Sequence, residues 1–257
     1  MNALYDNPEF LDGYRRLRQS GAAINEPLEI PAMNAALPPV AGVRAVDLGC
    51  GEGGLAVRLA EAGAAGVLAV DASEQMLAAA APHPRVRYQC ADLADFDVPQ
   101  DSADLVVSSM ALHYVEDFDA LAARVARWLV PGGAFVFTTE HPVMTAPRVA
   151  ADCVVDDYAD EGRRERTWFV EGVVKYHRTI GTVVATLHRH GLRVERVDEP
   201  VPTPGQVAAR PSLAIHRRRP PILLVSARFA PQGDHRVDGT LELPTGNIGE
   251  EDRRGTG

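Results

Sequence analysis

Short apolar runs alternate with amphipathic stretches from Val43 to Thr139, the pattern of a parallel sheet covered by helices on both faces. The runs predict strands over 44–48, 66–70, 86–90, 103–108 and 134–138. Helices are predicted between them over 53–63, over 73–81 with Ser73 as N-cap, and over 117–130, the last closed by Pro131-Gly132-Gly133. A helix over 179–190, a strand over 192–197 and a last strand over 221–229 complete the series. The fold class this predicts is α/β: a doubly wound, Rossmann-like, mostly parallel seven-stranded sheet, with its ligand crevice at the carboxyl ends of the strands.

Three segments depart from that rhythm. Residues 1–42 carry Tyr5, Phe10, Tyr14, Arg15 and Arg18 at helical spacing and read as a helical N-terminal cap. Residues 43–229 form the main domain, and within it 140–178 lack clean periodicity and read as an insertion lying over the site. From 230 to 257 the chain is rich in Gly, Asp, Arg and Thr and poor in apolar residues, the composition of a disordered tail.

Composition narrows the partners. The 257 residues are 46% hydrophobic and 24% charged, with 26 Lys+Arg against 35 Asp+Glu and a formal charge of -9. Such a field repels polyphosphate and anionic lipid, so nucleic acid and membrane are not expected partners. Cys50, Cys90 and Cys153 contain no C-x-x-C pair, which argues against a disulfide framework or zinc site and suits a reducing cytoplasm. No metal is expected, nor a secretion signal or membrane span.

The densest information lies in Val46-Asp47-Leu48-Gly49-Cys50-Gly51-Glu52-Gly53-Gly54, at a predicted strand-to-helix turn where glycines let a ligand approach the backbone. Gly49, Gly51 and Gly54 satisfy G-x-G-x-x-G, a pattern that also serves dinucleotide sites, so an NAD-dependent oxidoreductase is one reading. Asp47 separates the two. A carboxylate there is ill placed against a pyrophosphate and well placed against the ammonium or sulfonium of S-adenosylmethionine. Asp71 ends the second strand, where an acid can take both ribose hydroxyls. Asp92 follows the third strand, where a carboxylate can accept from an adenine amino group.

With these residues in place, the chain resembles the class I S-adenosylmethionine-dependent methyltransferases. The pieces VDLGCGEG (46–53), LAVDASEQML (68–77), CADL (90–93), DLVVSSMALHYVED (104–117) and LVPGGAFVFTTEHP (129–142) come in that family's order. The resemblance implies S-adenosylmethionine as cofactor and S-adenosylhomocysteine as product. It implies that Gly49 and Gly51 lie against the methionine portion, Asp47 near its ammonium, Asp71 on the ribose, and Asp92 with Leu93 at the adenine. Ala72, Met76, Ser108 and His113 are further cofactor contacts in this reading.

On the acceptor side, His141 is the preferred general base and His113 the second, with Glu140 able to orient and charge its neighbour. Each has a plain structural alternative: a ring stacked on the cofactor or bonded to a carbonyl for His113, a turn for Glu140-His141-Pro142. Tyr176 and His177 join the catalytic candidates, and Tyr14, Tyr114, Trp168 and Arg178 the substrate-binding ones, Arg178 as a carboxylate binder. The expected activity is methyl transfer to a small-molecule acceptor of secondary metabolism, at oxygen or carbon of an aromatic or heteroaromatic compound, or at nitrogen. A non-catalytic S-adenosylmethionine-binding protein is the remaining alternative, and the oligomeric state is left open.

Overall fold

The computed structural model describes residues 4–147 and 155–231. The expected tail from 232 onward lies outside the described residues.

The first two helices precede the sheet: α1 (Pro8–Gln19), capped by the Asn7 side chain, and α2 (Ile30–Ala36), entered through a π-helical turn over Asn25–Glu29. The repeating core then runs β1 (Arg44–Leu48), α3 (Gly54–Glu61), β2 (Gly66–Asp71), α4 (Glu74–Ala78), β3 (Val86–Cys90), β4 (Ala103–Ser109), α5 (Phe118–Trp128) and β5 (Leu129–Glu140). After β5 come a one-turn α6 (Pro142–Thr145), the antiparallel hairpin β6 (Gly162–Trp168) and β7 (Val170–His177), then α7 (Ile180–Arg189) and β8 (Leu192–Asp198). A short α8 (Pro204–Ala209) and a 3-10 turn over Pro211–Arg217 lead into β9 (Ile222–Phe229).

Seven strands make one sheet in the order β3-β2-β1-β4-β5-β9-β8. The first five run parallel, while β9 enters antiparallel between β5 and β8. The order reverses beside β1, the switch point where a crevice opens above the strand ends. The sheet is buried from both sides. Val46, Leu48, Val106, Phe135 and Phe137 face one apolar layer with α5 and α7, and Ala45, Val67, Leu105, Val107 and Val136 face the other with α2 and α3. That two-sided burial is why these strands read as continuous apolar runs.

The caps match their chemistry. Ser73 accepts from the Met76 amide, Asp117 from Ala120 and Thr179 from Thr182, each closing a helix N-terminus. Two predictions need correction. The helix over 117–130 ends at Trp128, and Pro131-Gly132-Gly133 lies inside β5, where a register irregularity opposite Ala103–Leu105 absorbs it. The 140–178 stretch is not irregular throughout: it holds α6 and a two-stranded hairpin whose strands bury few residues, so period-two hydrophobicity is missing from the sequence.

Candidate active site

The first glycine turn is shaped by contacts no larger residue allows. Gly49 sits at φ 71°, and a Cβ there would lie 2.3 Å from the Ala111 Cβ. Gly53, the N-cap of α3 at φ 78°, has the Tyr88 hydroxyl 2.3 Å from where its Cβ would be. The turn is tied to β2, because the amides of Gly49 and Cys50 both donate to the Val70 carbonyl, at 2.8 and 2.9 Å.

Above this turn opens a cavity of about 1430 Å³ that runs from the carboxyl ends of β1–β3 to those of β4 and β5. At its first end lie four carboxylates. Asp47 is fully buried and neither of its oxygens has a hydrogen-bond partner. Burial, reinforced by the charge of Asp71, pushes its carboxyl up to about 7. Asp71 accepts from the Gly51 amide at 2.8 Å on one oxygen and from the Ser73 amide at 2.9 Å on the other. A carboxylate has about four acceptor positions, so two remain for a pair of hydroxyls. Asp92 accepts from the Ala94 amide at 2.9 Å. The fourth acid, Glu29, arrives from the N-terminal segment and accepts from the Ser109 and Thr138 hydroxyls at 2.8 and 2.9 Å. Burial raises both Asp71 and Glu29 above the ordinary carboxylate range.

Two arginines on the same wall complement these acids. Arg18 pairs with Glu26 through one nitrogen, but its Nη1 is buried and unpartnered, as is Nε of Arg58. Unpartnered carboxylate oxygens and unpartnered guanidinium N–H groups on one wall have the chemistry to meet an amino-acid zwitterion, acid to ammonium and arginine to carboxylate. These residues fit the methionine portion of S-adenosylmethionine. Gly49, Gly51, Ala72, Met76 and Leu93 share the wall, and Arg124 fixes the far end by donating to the Leu93 carbonyl at 2.6 Å.

The comparisons with known proteins agree with this geometry. The chain matches the family described as methyltransferase domain over residues 45–133. A crystal structure of an S-adenosylmethionine dependent methyltransferase from Mesorhizobium loti is 48% identical, with 78% of this chain and 97% of that one covered at a TM-score of 0.74. The chain belongs to the S-adenosylmethionine-dependent methyltransferases. A structure given the same assignment from Listeria monocytogenes is 36% identical over 78% of this chain and 96% of its own, at a TM-score of 0.73. An uncharacterized protein of Haemophilus influenzae is 30% identical over 88% of this chain and 96% of its own length. The cofactor of this methyltransferase is therefore S-adenosylmethionine.

At the second end of the cavity the wall changes character. His113, Tyr114, Glu140, Trp168 and Tyr176 all border it, together with Tyr14 from α1. His113 is buried, and its Nδ1 accepts from the Glu140 amide at 3.3 Å and lies 3.4 Å from the Thr139 hydroxyl. Burial lowers its pKa to about 3, so the ring is neutral, with its hydrogen on Nε2. Glu140 is bridged at 2.8 Å by Lys175, whose ammonium also lies 5.1 Å from the centre of the Trp168 ring. Burial alone would raise Glu140, but the charge and hydrogen bond of Lys175 outweigh it and hold the carboxyl below its usual range. Tyr176 donates to Glu116 at 3.0 Å, and burial raises its pKa.

Four sequence-derived candidates are not on this wall. His141 caps α6: its Nδ1 accepts from the Val143 amide at 3.1 Å and its Nε2 meets Glu199 at 2.7 Å, so neither nitrogen is available as a general base. His177 is equally engaged, by the Thr145 hydroxyl at 2.8 Å and the Tyr158 carbonyl at 3.0 Å. Burial lowers both histidines, keeping them neutral. Ser108 is fully buried and donates to the Leu48 carbonyl at 2.8 Å, joining β4 to β1. Arg178 donates to the carbonyls of Val115 and Glu116 and covers the Phe118 ring at 5.5 Å, so it positions the His113–Tyr114 segment instead of binding an acceptor carboxylate.

The roof comes from residues far apart in sequence. Phe10 is fully buried, edge-on to Tyr5, Trp168 and Phe169 at 4.9, 5.4 and 5.6 Å. Tyr5 in turn meets Tyr14 and Tyr114 edge-on at 5.2 and 6.3 Å. Asp6 is bonded by the Ser73 hydroxyl at 2.6 Å and the Gln75 amide at 3.2 Å, and Arg15 pairs with Glu52 at 3.3 Å. Sequence reading missed Glu29, Arg58 and Lys175. Only Lys175 carried a signal, as the sole lysine of the 257 residues.

Proposed function

We propose that this methyltransferase acts on a small-molecule acceptor held between the hairpin β6–β7 and the carboxyl ends of β4 and β5. The observation carrying this reading is the single cavity, continuous from Asp47 to Lys175 and roofed by α1 and the hairpin. Its ≈ 1430 Å³ exceeds the ~300–1,000 Å³ of a usual ligand site, room for a cofactor and a modest second ligand. The roof is stapled to the sheet side through Phe10 and Asp6, which favours a small acceptor over a polymer. The aromatic wall of Tyr14, Tyr114, Trp168 and Tyr176 suits an aromatic or heteroaromatic acceptor, with oxygen or carbon as the methylated atom and nitrogen as the further possibility.

When bound, S-adenosylmethionine supplies a methyl group already attached to a good leaving group, so the protein's task is alignment and exclusion of water. In this reading Asp47, Arg18 and Arg58 hold the amino-acid end, Asp71 the ribose, and Asp92 with Leu93 the adenine. Residues 4–42 close over that end. His113, as an Nε2–H donor beside Tyr114, fixes the orientation of whatever approaches. Incubating the protein with methyl-labelled S-adenosylmethionine and a fractionated cell extract tests the proposal. Label is expected in the small-molecule fraction; label confined to protein or RNA would contradict it.

A further inference from the structure

Both signs of charge line the cavity. Its cofactor end carries Glu29, Asp47, Asp71 and Asp92 together with Arg18 and Arg58. Its other end is built on β6 and β7, whose charged residues on the cavity wall are the cations Arg163, Arg164, Arg166 and Lys175, opposite Glu116, Asp117 and Glu140. Arg163 pairs with Glu165, and Arg164 donates to the carbonyls of Ala146, Arg163 and Asp160. The acids of the same hairpin, Glu165 and Glu171, do not reach that wall. Arg164 and Lys175 are register partners across the two strands, so they share one face. In a chain of net charge -9, the only lysine stands on this face, with most of its side chain buried between Glu140 and the Trp168 ring.

We infer that the acceptor is an organic acid, bound through its oxygen anion by Lys175 and Arg166 and methylated on an anionic oxygen, an inference that rests on the small-molecule reading above. A positive sulfonium and a negative acceptor held by Lys175 and Arg166 place opposite charges across the line of transfer. The acceptor oxygen gives an electron pair to the methyl carbon as the carbon–sulfur bond breaks, and sulfur keeps that pair. A C–O bond replaces a C–S bond, the two charges cancel, and no proton changes hands.

The side chains near the reacting region agree with a reaction that needs no base. His113 uses its Nδ1 lone pair on the Glu140 amide and offers only a hydrogen, while His141 and His177 have both nitrogens occupied elsewhere. Glu140 is neutralised by Lys175. Carbon acceptors and neutral alcohols require a proton to leave, and none of His113, His141, His177 and Glu140 is placed to take it. An acid that is already ionised has none to lose.

The test uses the full chain saturated with S-adenosylhomocysteine and titrated calorimetrically with benzoate, cinnamate and maleate against benzamide, cinnamamide and benzylamine. In parallel, acetic anhydride acetylates Lys175, and mass spectrometry reads the single lysine-containing peptide. The acids are expected to bind and to protect Lys175, the amides and amine to do neither. Lys175→Met should weaken acid binding ~10-fold or more, the scale of one charge-assisted hydrogen bond, with S-adenosylhomocysteine affinity within about threefold of wild type. Because Lys175→Met strands Glu140, the charge-balanced double variant Glu140→Gln/Lys175→Met is measured beside it and should lose the acids equally. Preference for the amides or amine, or acid binding unchanged in the double variant, overturns the inference while leaving a small-molecule methyltransferase intact. Methyl label found only in protein or RNA overturns both.

Discussion

At the scale of single residues, the decisive feature is a carboxylate with nothing to bond. Asp47 is recognisable in the sequence as the acid two places before a glycine turn, but its isolation, and the pKa of about 7 that follows, come from the three-dimensional neighbourhood. The sign of its pH effect is fixed by the direction of the shift. A carboxyl that titrates near 4 unfolded and near 7 folded favours the folded state below pH 4, and that contribution is lost as pH rises through 7. The cofactor-free protein should therefore be less stable at pH 8 than at pH 5 on this account, and Asp47→Asn should remove the dependence. In thermal melts the Asn variant is expected to exceed wild type at pH 8 by an amount on the order of a few kcal/mol, while calorimetry shows S-adenosylhomocysteine binding weakened by ~10-fold or more. His141 makes the opposite case. Its place after β5 made it a sequence candidate for a base, whereas its ring is a helix cap. His141→Ala should cost stability of about 0.5–2 kcal/mol in denaturant unfolding and leave kcat within about threefold, far short of the ~10²–10⁴-fold loss of a true general base.

At the scale of elements, legibility followed burial. Strands β1, β4 and β9 are covered on both faces and stand out as apolar runs, and their neighbouring helices announce themselves through Ser73, Asp117 and Thr179 caps. The hairpin was hidden for the same physical reason reversed. Its strands bury only Arg164, Val173 and His177, two of them polar, so no alternation marks it. Its contact with α1 was beyond reach, since Phe10 and Trp168 are 158 residues apart and nothing local couples them. That contact yields a prediction at this scale. Phe10→Ala removes the ring on which Tyr5, Trp168 and Phe169 converge and should cost ~3–5 kcal/mol if the roof and the sheet unfold together. A loss well below that range, accompanied by faster release of S-adenosylhomocysteine in stopped flow, is the expected signature of a roof that opens separately.

For the whole molecule, the net charge of -9 conceals an arrangement. One cavity gathers Glu29, Asp47, Asp71 and Asp92 with Arg18 and Arg58 at one end and Lys175 and Arg166 with Glu140 at the other, while paired surface residues such as Arg44–Asp104 and Arg189–Asp119 carry little of the stability. Among the described residues no helix is long and apolar enough to cross a membrane. The composition could report only the sum; the fold decides where each sign lies. We propose that the cavity has a polarity, with the amino-acid end of the cofactor at Asp47, Arg18 and Arg58 and the reacting sulfur turned towards His113 and Lys175. A crystal structure of the full chain with S-adenosylhomocysteine measures this directly. The homocysteine ammonium is expected within hydrogen-bond distance of Asp47, its carboxylate on Arg18 or Arg58, and the sulfur facing the hairpin side of the cavity. A homocysteine tail lying along the hairpin, with Asp47 still unpartnered, would contradict it.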